Sequence, residues 1–262
     1  MICDFEGRAI GYEVRGKGPA VLLLHPFPFD RSFWNRTKLE GFRLVAVDAR
    51  GFGESSLSGN FALDDLGDDA MRVLDHLGIA IAAGVGCSMG GYVALALAGR
   101  HAHRLSALVL VGSRAGADGA ASRAHRDAVV AEIRDHGPDA FLFDIGTRLC
   151  GRSATAAQRT RTEQLARASS TNFSRALPAG ILAMRDRPDR TTLLPQLRLP
   201  TLILVGDEDT ITPPDEARAM KRMVPGAELE ELAGAGHLPS IEVADDFERA
   251  LSAFLEAHLL AT

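Results

Sequence analysis

The chain has 262 residues, 46% hydrophobic and 24% charged, enough to bury one substantial core with room for an added subdomain. Its net charge of −5 leaves no basic excess for a nucleic-acid groove or an anionic membrane surface. No apolar run reaches the length of a membrane span, and the opening MICDFEGRAIGYEVRG lacks the basic flank and apolar segment of a secretory signal.

In chain order, CDFEGRAIGYEVRG holds two short alternating segments about Glu6-Gly7-Arg8 and predicts a hairpin at one antiparallel edge of a sheet. Strand-like runs follow at AVLLL (20–24), FRLVAVD (42–48) and AIAAGVGC (80–87), then ALVLVG (107–112), TLILVG (201–206) and ELEEL (228–232). AVLLL, ALVLVG and TLILVG are continuously apolar, as strands covered on both faces are. Helix patterns lie between several of them. LDDLGDDAMRVLDHLG opens on aspartates and ends at Gly78, SMGGYVALALAGR follows the third run, and PPDEARAMKRMVPG starts on prolines and ends on Pro-Gly. Alternating strand and helix predicts an α/β fold with a mostly parallel sheet and helices on both faces.

From Ser113 to Pro200 no strand pattern occurs, only Ala- and Arg-rich helical pieces. A gap of that length inside a sheet predicts a subdomain. Residues 114–195 are therefore expected to form a helical cap inserted into a core made of 1–113 and 196–262. The cysteines, Cys3, Cys87 and Cys150, are odd in number and widely spaced, which fits a reducing, cytoplasmic setting and neither a disulfide framework nor a zinc site. No metal and no cofactor is expected.

The chemistry centres on GVGCSMGG. A G-x-S-x-G pattern is short enough to arise by chance, but here the serine follows a strand-like run and opens a helix. In so sharp a turn the residues two before and two after the serine pack closely, and Gly86 and Gly90 supply the missing side chains. The blander alternative is a helix N-cap serine beside glycines. A serine hydroxyl needs a base, normally a histidine oriented by a carboxylate. TLILVGDEDTITPP runs off an apolar strand into an acidic turn, and LEELAGAGHLPS runs off the last strand into a glycine-rich loop carrying His237.

With LLLHPFP, VAVDARGFGESS, GVGCSMGG, LVGDEDTITP and GAGHLP in this order, the chain resembles the α/β-hydrolase superfamily over nearly its whole length, in its serine-nucleophile branch. The resemblance implies Ser88 as nucleophile and His237 as base. The family's acid lies three residues after the glycine ending its strand, which selects Asp209, with Asp207 as the competing carboxylate. One oxyanion donor is expected from the backbone N–H of Met89, at the positive end of its helix. The other is expected from HPFP, where Pro26 and Pro28 have no N–H and Phe27 matches the family's donor position. His25 reads as support for that loop. Phe29, Phe33 and Trp34 line a pocket or pack in the core. DARGFGES reads as a structural turn in which Asp48 and Arg50 bond backbone, and Cys87 as a small buried filler.

Serine in place of aspartate argues against dehalogenases and epoxide hydrolases. The short HPFPFD loop and compact insert are most similar to small carboxylesterases and 3-oxoadipate enol-lactonase-like proteins. The implied activity is hydrolysis of a small-molecule ester or lactone through an acyl-enzyme, by a monomer or small homo-oligomer. A carbon–carbon bond hydrolase, a perhydrolase or a ligand receptor with little turnover are the alternatives on the same residues.

Overall fold

The computed structural model describes residues 1–57, 59–143 and 145–260. Among them the strands are β1 (Ile2–Phe5), β2 (Arg8–Gly16), β3 (Ala20–Leu24), β4 (Arg43–Val47), β5 (Ala82–Cys87), β6 (Leu105–Val111), β7 (Thr201–Gly206) and β8 (Glu228–Leu232). They form one sheet in the order β1-β2-β4-β3-β5-β6-β7-β8. β1 and β2 pair antiparallel, β2 pairs antiparallel with β4, and every later pairing is parallel.

The hairpin stands at the antiparallel edge, as predicted. Glu6 and Gly7 both take positive φ, 54° and 79°, the two-residue turn whose twist matches that of the flanking strands. In the middle of the sheet β5 and β7 are buried at every residue, consistent with cover on both sides. At the opposite edge β8 reads ELEEL and keeps glutamates exposed or half-buried, which discourages pairing with another chain.

The helices are α1 (Leu63–His76), α2 (Met89–Arg100), α3 (Ala120–His136), α4 (Asp139–Phe143), α5 (Ile145–Leu149), α6 (Ala156–Ala168), α7 (Phe173–Arg185), α8 (Pro214–Met223), α9 (Pro239–Glu242) and α10 (Ala244–Leu259). α1 begins where the Ala62 N–H donates to Asp65 at 2.9 Å, and its first-turn aspartates suit the positive helix end. α2 is buried along nearly its whole length because it packs on β3, β5 and β6 on one side and α1 on another. α10 lies beyond the last predicted element, although Phe247, Ala250, Leu251, Phe254 and Leu255 are spaced for one helical face. Between β6 and β7 the chain contains α3 to α7 and no strand among the described residues.

DARGFGES is a turn, with one difference from expectation. Asp48 accepts the backbone N–H groups of Arg31 and Glu54 at 2.8 and 2.9 Å. Arg50 instead faces α1, where Nε and Nη2 donate to the two oxygens of buried Asp69 at 2.6 and 3.0 Å. A buried guanidinium is satisfied best by a forked acceptor, and a carboxylate supplies one where single carbonyls do not.

Candidate active site

The C-terminal ends of β3, β5, β6, β7 and β8 bring five loops to one edge of the sheet, the edge where open α/β sheets bind ligands. Ser88 follows β5 and precedes α2 with φ 51° and ψ −111°, a conformation that non-glycine residues seldom adopt. Its neighbours hold it there. The Ser88 N–H donates to Val111 at 2.8 Å, and its carbonyl accepts from the Ser113 hydroxyl at 3.0 Å and the Gly91 N–H at 2.9 Å.

The two flanking glycines are required by backbone crowding. A Cβ on Gly86 would lie 2.1 Å from the Gly90 carbonyl oxygen, and one on Gly90 would lie 2.1 Å from the carbonyl oxygen of Leu24. Gly90→Ala is therefore expected to push α2 away from the end of β3. It should lower stability by roughly 1–3 kcal/mol, as overpacking does. Thermal melts check this, and an unchanged Tm would show that the contact relaxes freely.

His237 is buried, and its Nδ1 lies 2.8 Å from Asp209 Oδ2. An ionised carboxylate only accepts, so this contact assigns the ring proton to Nδ1 and leaves Nε2 as an acceptor. Asp209 Oδ1 accepts the N–H groups of Ile211 and Thr212 at 2.8 and 2.9 Å, and Oδ2 also accepts the Thr212 hydroxyl at 2.7 Å. Burial pushes the Asp209 carboxyl up, but the adjacent His237 and the bonds from Thr212 outweigh it and hold it below the usual carboxylate range. Asp207 is exposed and bonds the Gly234 N–H at 2.8 Å, so of the two carboxylates it is Asp209 that meets the histidine. Thr212 goes unmarked in the sequence reading; the local signal is an aspartate in a turn, whose side chain bonds backbone two residues on, here at Ile211 with Thr212 next to it.

The HPFP loop lies beside the serine. His25 is buried, accepts the Ala49 N–H at its Nε2 at 2.9 Å, and so donates from Nδ1 to the Pro26 carbonyl at 2.9 Å. Burial lowers its pKa and favours this neutral form. The ring of Phe27 meets those of Phe52 and Phe141 edge-on at 5.7 and 6.0 Å, bridging the loop to α4. Among the described residues the Phe27 N–H meets no backbone acceptor, and the Met89 N–H stands in the first turn of α2, where helical acceptors are lacking.

Phe29 and Trp34 are a correction to the pocket reading. Both are fully buried, Phe29 against Phe33 and Trp34 stacked on Phe247 of α10, and neither reaches the cavity. The apolar face of α10, absent from the predicted elements, supplies the partner that draws Trp34 into the core.

A cavity of about 510 Å³ joins Ser88 and His237 to the segment between β6 and β7. Phe27, Tyr92 and Ile181 give it an apolar side. α3 turns Ser122, His125, Arg126 and Val129 toward it, spaced as one helical face. Arg126 pairs with Asp118, which Arg187 also contacts at 2.6 Å. Burial raises the Asp118 carboxyl, but these two guanidinium groups bring it below its ordinary value. Cys87 lies under the serine, where burial first and the nearby carboxylates second push its thiol well above the ordinary range, in keeping with an inert filler. Among the described residues no cluster of potential metal ligands is found, and no helix is long and apolar enough to cross a membrane.

A family model described as the alpha/beta hydrolase fold matches residues 19–244. The chain is 27% identical to 3-oxoadipate enol-lactonase 1 of Acinetobacter baylyi, covering 98% of this chain and 97% of that one. It is 28% identical to a 2-hydroxy-6-oxononadienedioate/2-hydroxy-6-oxononatrienedioate hydrolase of Burkholderia vietnamiensis, over 82% of this chain and 77% of that protein. Its backbone matches a thermophilic esterase from Thermogutta terrifontis, solved with malate bound, at a TM-score of 0.91 and 34% identity, covering 98% of this chain and 97% of the other.

Proposed function

The chain belongs to the α/β-hydrolase family, and from that premise we propose that it is a serine hydrolase of small carboxylic esters or lactones, working through an acyl-enzyme. The observation that carries this reading is the buried 2.8 Å contact between His237 Nδ1 and Asp209, with Nε2 left to accept, facing the same cavity as Ser88 on its strained turn.

In this mechanism His237 Nε2 takes the Ser88 hydroxyl proton as Oγ attacks the carbonyl carbon. Asp209 holds the imidazole in the required tautomer and stabilises the imidazolium. The N–H groups of Phe27 and Met89 receive the oxyanion, and the neutral His25, bonded to the Pro26 carbonyl, holds the loop that presents Phe27. Collapse of the tetrahedral intermediate expels the alcohol, protonated by His237. Water activated by the same ring then cleaves the acyl-enzyme. For a lactone the leaving alcohol stays tethered to the acyl chain.

Residues 114–195 act as the cap in this reading, and a cavity of about 510 Å³ is of a size for small substrates. The relatives named as an enol-lactonase and an esterase support both substrate classes. The test is hydrolysis of short p-nitrophenyl esters beside a panel of small lactones. Turnover on either class is the expected result, and the faster class identifies the chemistry. No turnover on any of them, while carbon–carbon cleavage of a vinylogous diketone proceeds, would replace this reading.

A further inference from the structure

One buried carboxylate beside the site has no part in the mechanism above. Glu242 ends α9 and is 8% exposed. Its Oε1 accepts the Leu238 N–H at 3.0 Å, and its Oε2 accepts those of Gly236 at 2.9 Å and Gly151 at 2.6 Å. Gly236 and Leu238 are the residues on either side of His237. Gly151 belongs to the segment between α5 and α6, within residues 114–195.

That segment is tied to the histidine and acid loops at several further points. The His237 N–H donates to Leu149 at 2.9 Å, and Gln158 of α6 donates to the Glu242 carbonyl at 2.7 Å. The Ser153 N–H and hydroxyl donate to Glu208, next to Asp209, at 2.8 and 2.7 Å. The two backbones touch so closely that a Cβ on Gly236 would lie 2.1 Å from the Gly151 nitrogen.

The chemistry of Glu242 fits this place. Burying an ionised carboxylate is costly unless hydrogen bonds replace its water, and three amides reaching two oxygens do so. A glutamine would offer one oxygen and turn its NH₂ toward N–H donors. A residue needed only to fill space would not require a charge.

We propose that Glu242 is a positioning residue. Its carboxylate clamps the amides flanking His237 and ties them to Gly151, so that the imidazole is held against Asp209 and toward Ser88 only while the α5–α6 segment is docked. This rests on the Ser88–His237–Asp209 reading given above.

The experiment compares full-length wild type, Glu242→Gln, Glu242→Asp and Ser88→Ala on p-nitrophenyl acetate, and follows amide hydrogen exchange at Gly236 and Leu238. The expected result for Glu242→Gln is a fall in kcat of about 10²-fold, as for a catalytic group misplaced by about an ångström. KM should change little, and exchange at both amides should quicken. Glu242→Asp, which keeps the charge, should recover part of the rate. Wild-type kcat in folded Glu242→Gln, or a lower Tm with kcat and exchange unchanged, overturns the proposal. If Glu242→Gln does not fold, wild type alone decides: protection at Gly236 and Leu238 comparable to β5 supports the clamp, and exchange as fast as that of the exposed turn at Gly226 overturns it. Turnover that survives in Ser88→Ala is a different failure, and overturns the serine reading on which the proposal stands.

Discussion

Replacing Ser88 with alanine is expected to lower kcat/KM on a short p-nitrophenyl ester by about 10⁴–10⁶-fold at neutral pH, corresponding to roughly 5–8 kcal/mol of transition-state stabilisation. The size follows from what alanine removes and what it leaves. On the proposed mechanism the nucleophilic oxygen goes, and with it the acyl-enzyme route. The proposed donors at Phe27 and Met89 and the cavity remain, so a residual rate above that of water alone is expected. The fold should survive. The turn is held by the Ser88 N–H to Val111, by its carbonyl to Ser113 and Gly91, and by the crowding at Gly86 and Gly90. None of these contacts uses the Ser88 hydroxyl. A Tm close to that of wild type, together with loss of labelling by a fluorophosphonate, would separate lost chemistry from lost structure. Full turnover in a folded, unlabelled Ser88→Ala protein would remove the serine from the mechanism.

The parts of the fold legible in the sequence are those in which one local rule has no competitor. The runs AVLLL and TLILVG, strands at the same positions in the structure, are too apolar for an exposed element and too short for a helix. Glu6-Gly7 turns where the alternation of two segments requires it. GCSMGG is legible because backbone crowding, not packing in general, requires glycine two residues on either side of the serine.

What escaped the sequence depends on partners distant in the chain. The choice of Asp69 by Arg50 is made by how α1 lies over the turn, and no spacing rule encodes that. Trp34 goes to the core because α10 brings Phe247 to it from the far end of the chain. Glu242 looks like one more acidic residue in SIEVADDFE until the loop folds back and lays three amides on it. The residues facing the cavity from α3 show a helical spacing only once it is known which face is turned inward.

Replacing Asp209 with asparagine should be nearly as damaging as losing the serine, for a different reason. The carbonyl oxygen of the introduced amide can still accept from Ile211 and Thr212, in the place of Oδ1. Its NH₂ then falls where Oδ2 lay, 2.8 Å from His237 Nδ1, and donates to that nitrogen instead of accepting from it. The ring is driven to the tautomer protonated at Nε2, which cannot take the Ser88 proton. A drop in kcat of about 10⁴-fold at neutral pH is expected, with KM little changed. Stability should separate the same two proteins by a second measurement. The Asp209 carboxyl is held below its ordinary range, so its charged form favours the folded state above the unfolded carboxylate pKa. That contribution fades as pH falls through the depressed folded value. The difference in Tm between wild type and Asp209→Asn should therefore be constant from neutral pH down to mildly acidic conditions and shrink only in stronger acid. A difference that vanished already near neutral pH would mean that Asp209 is not the charged partner of His237. A variant retaining wild-type kcat would mean that the carboxylate does not set the tautomer.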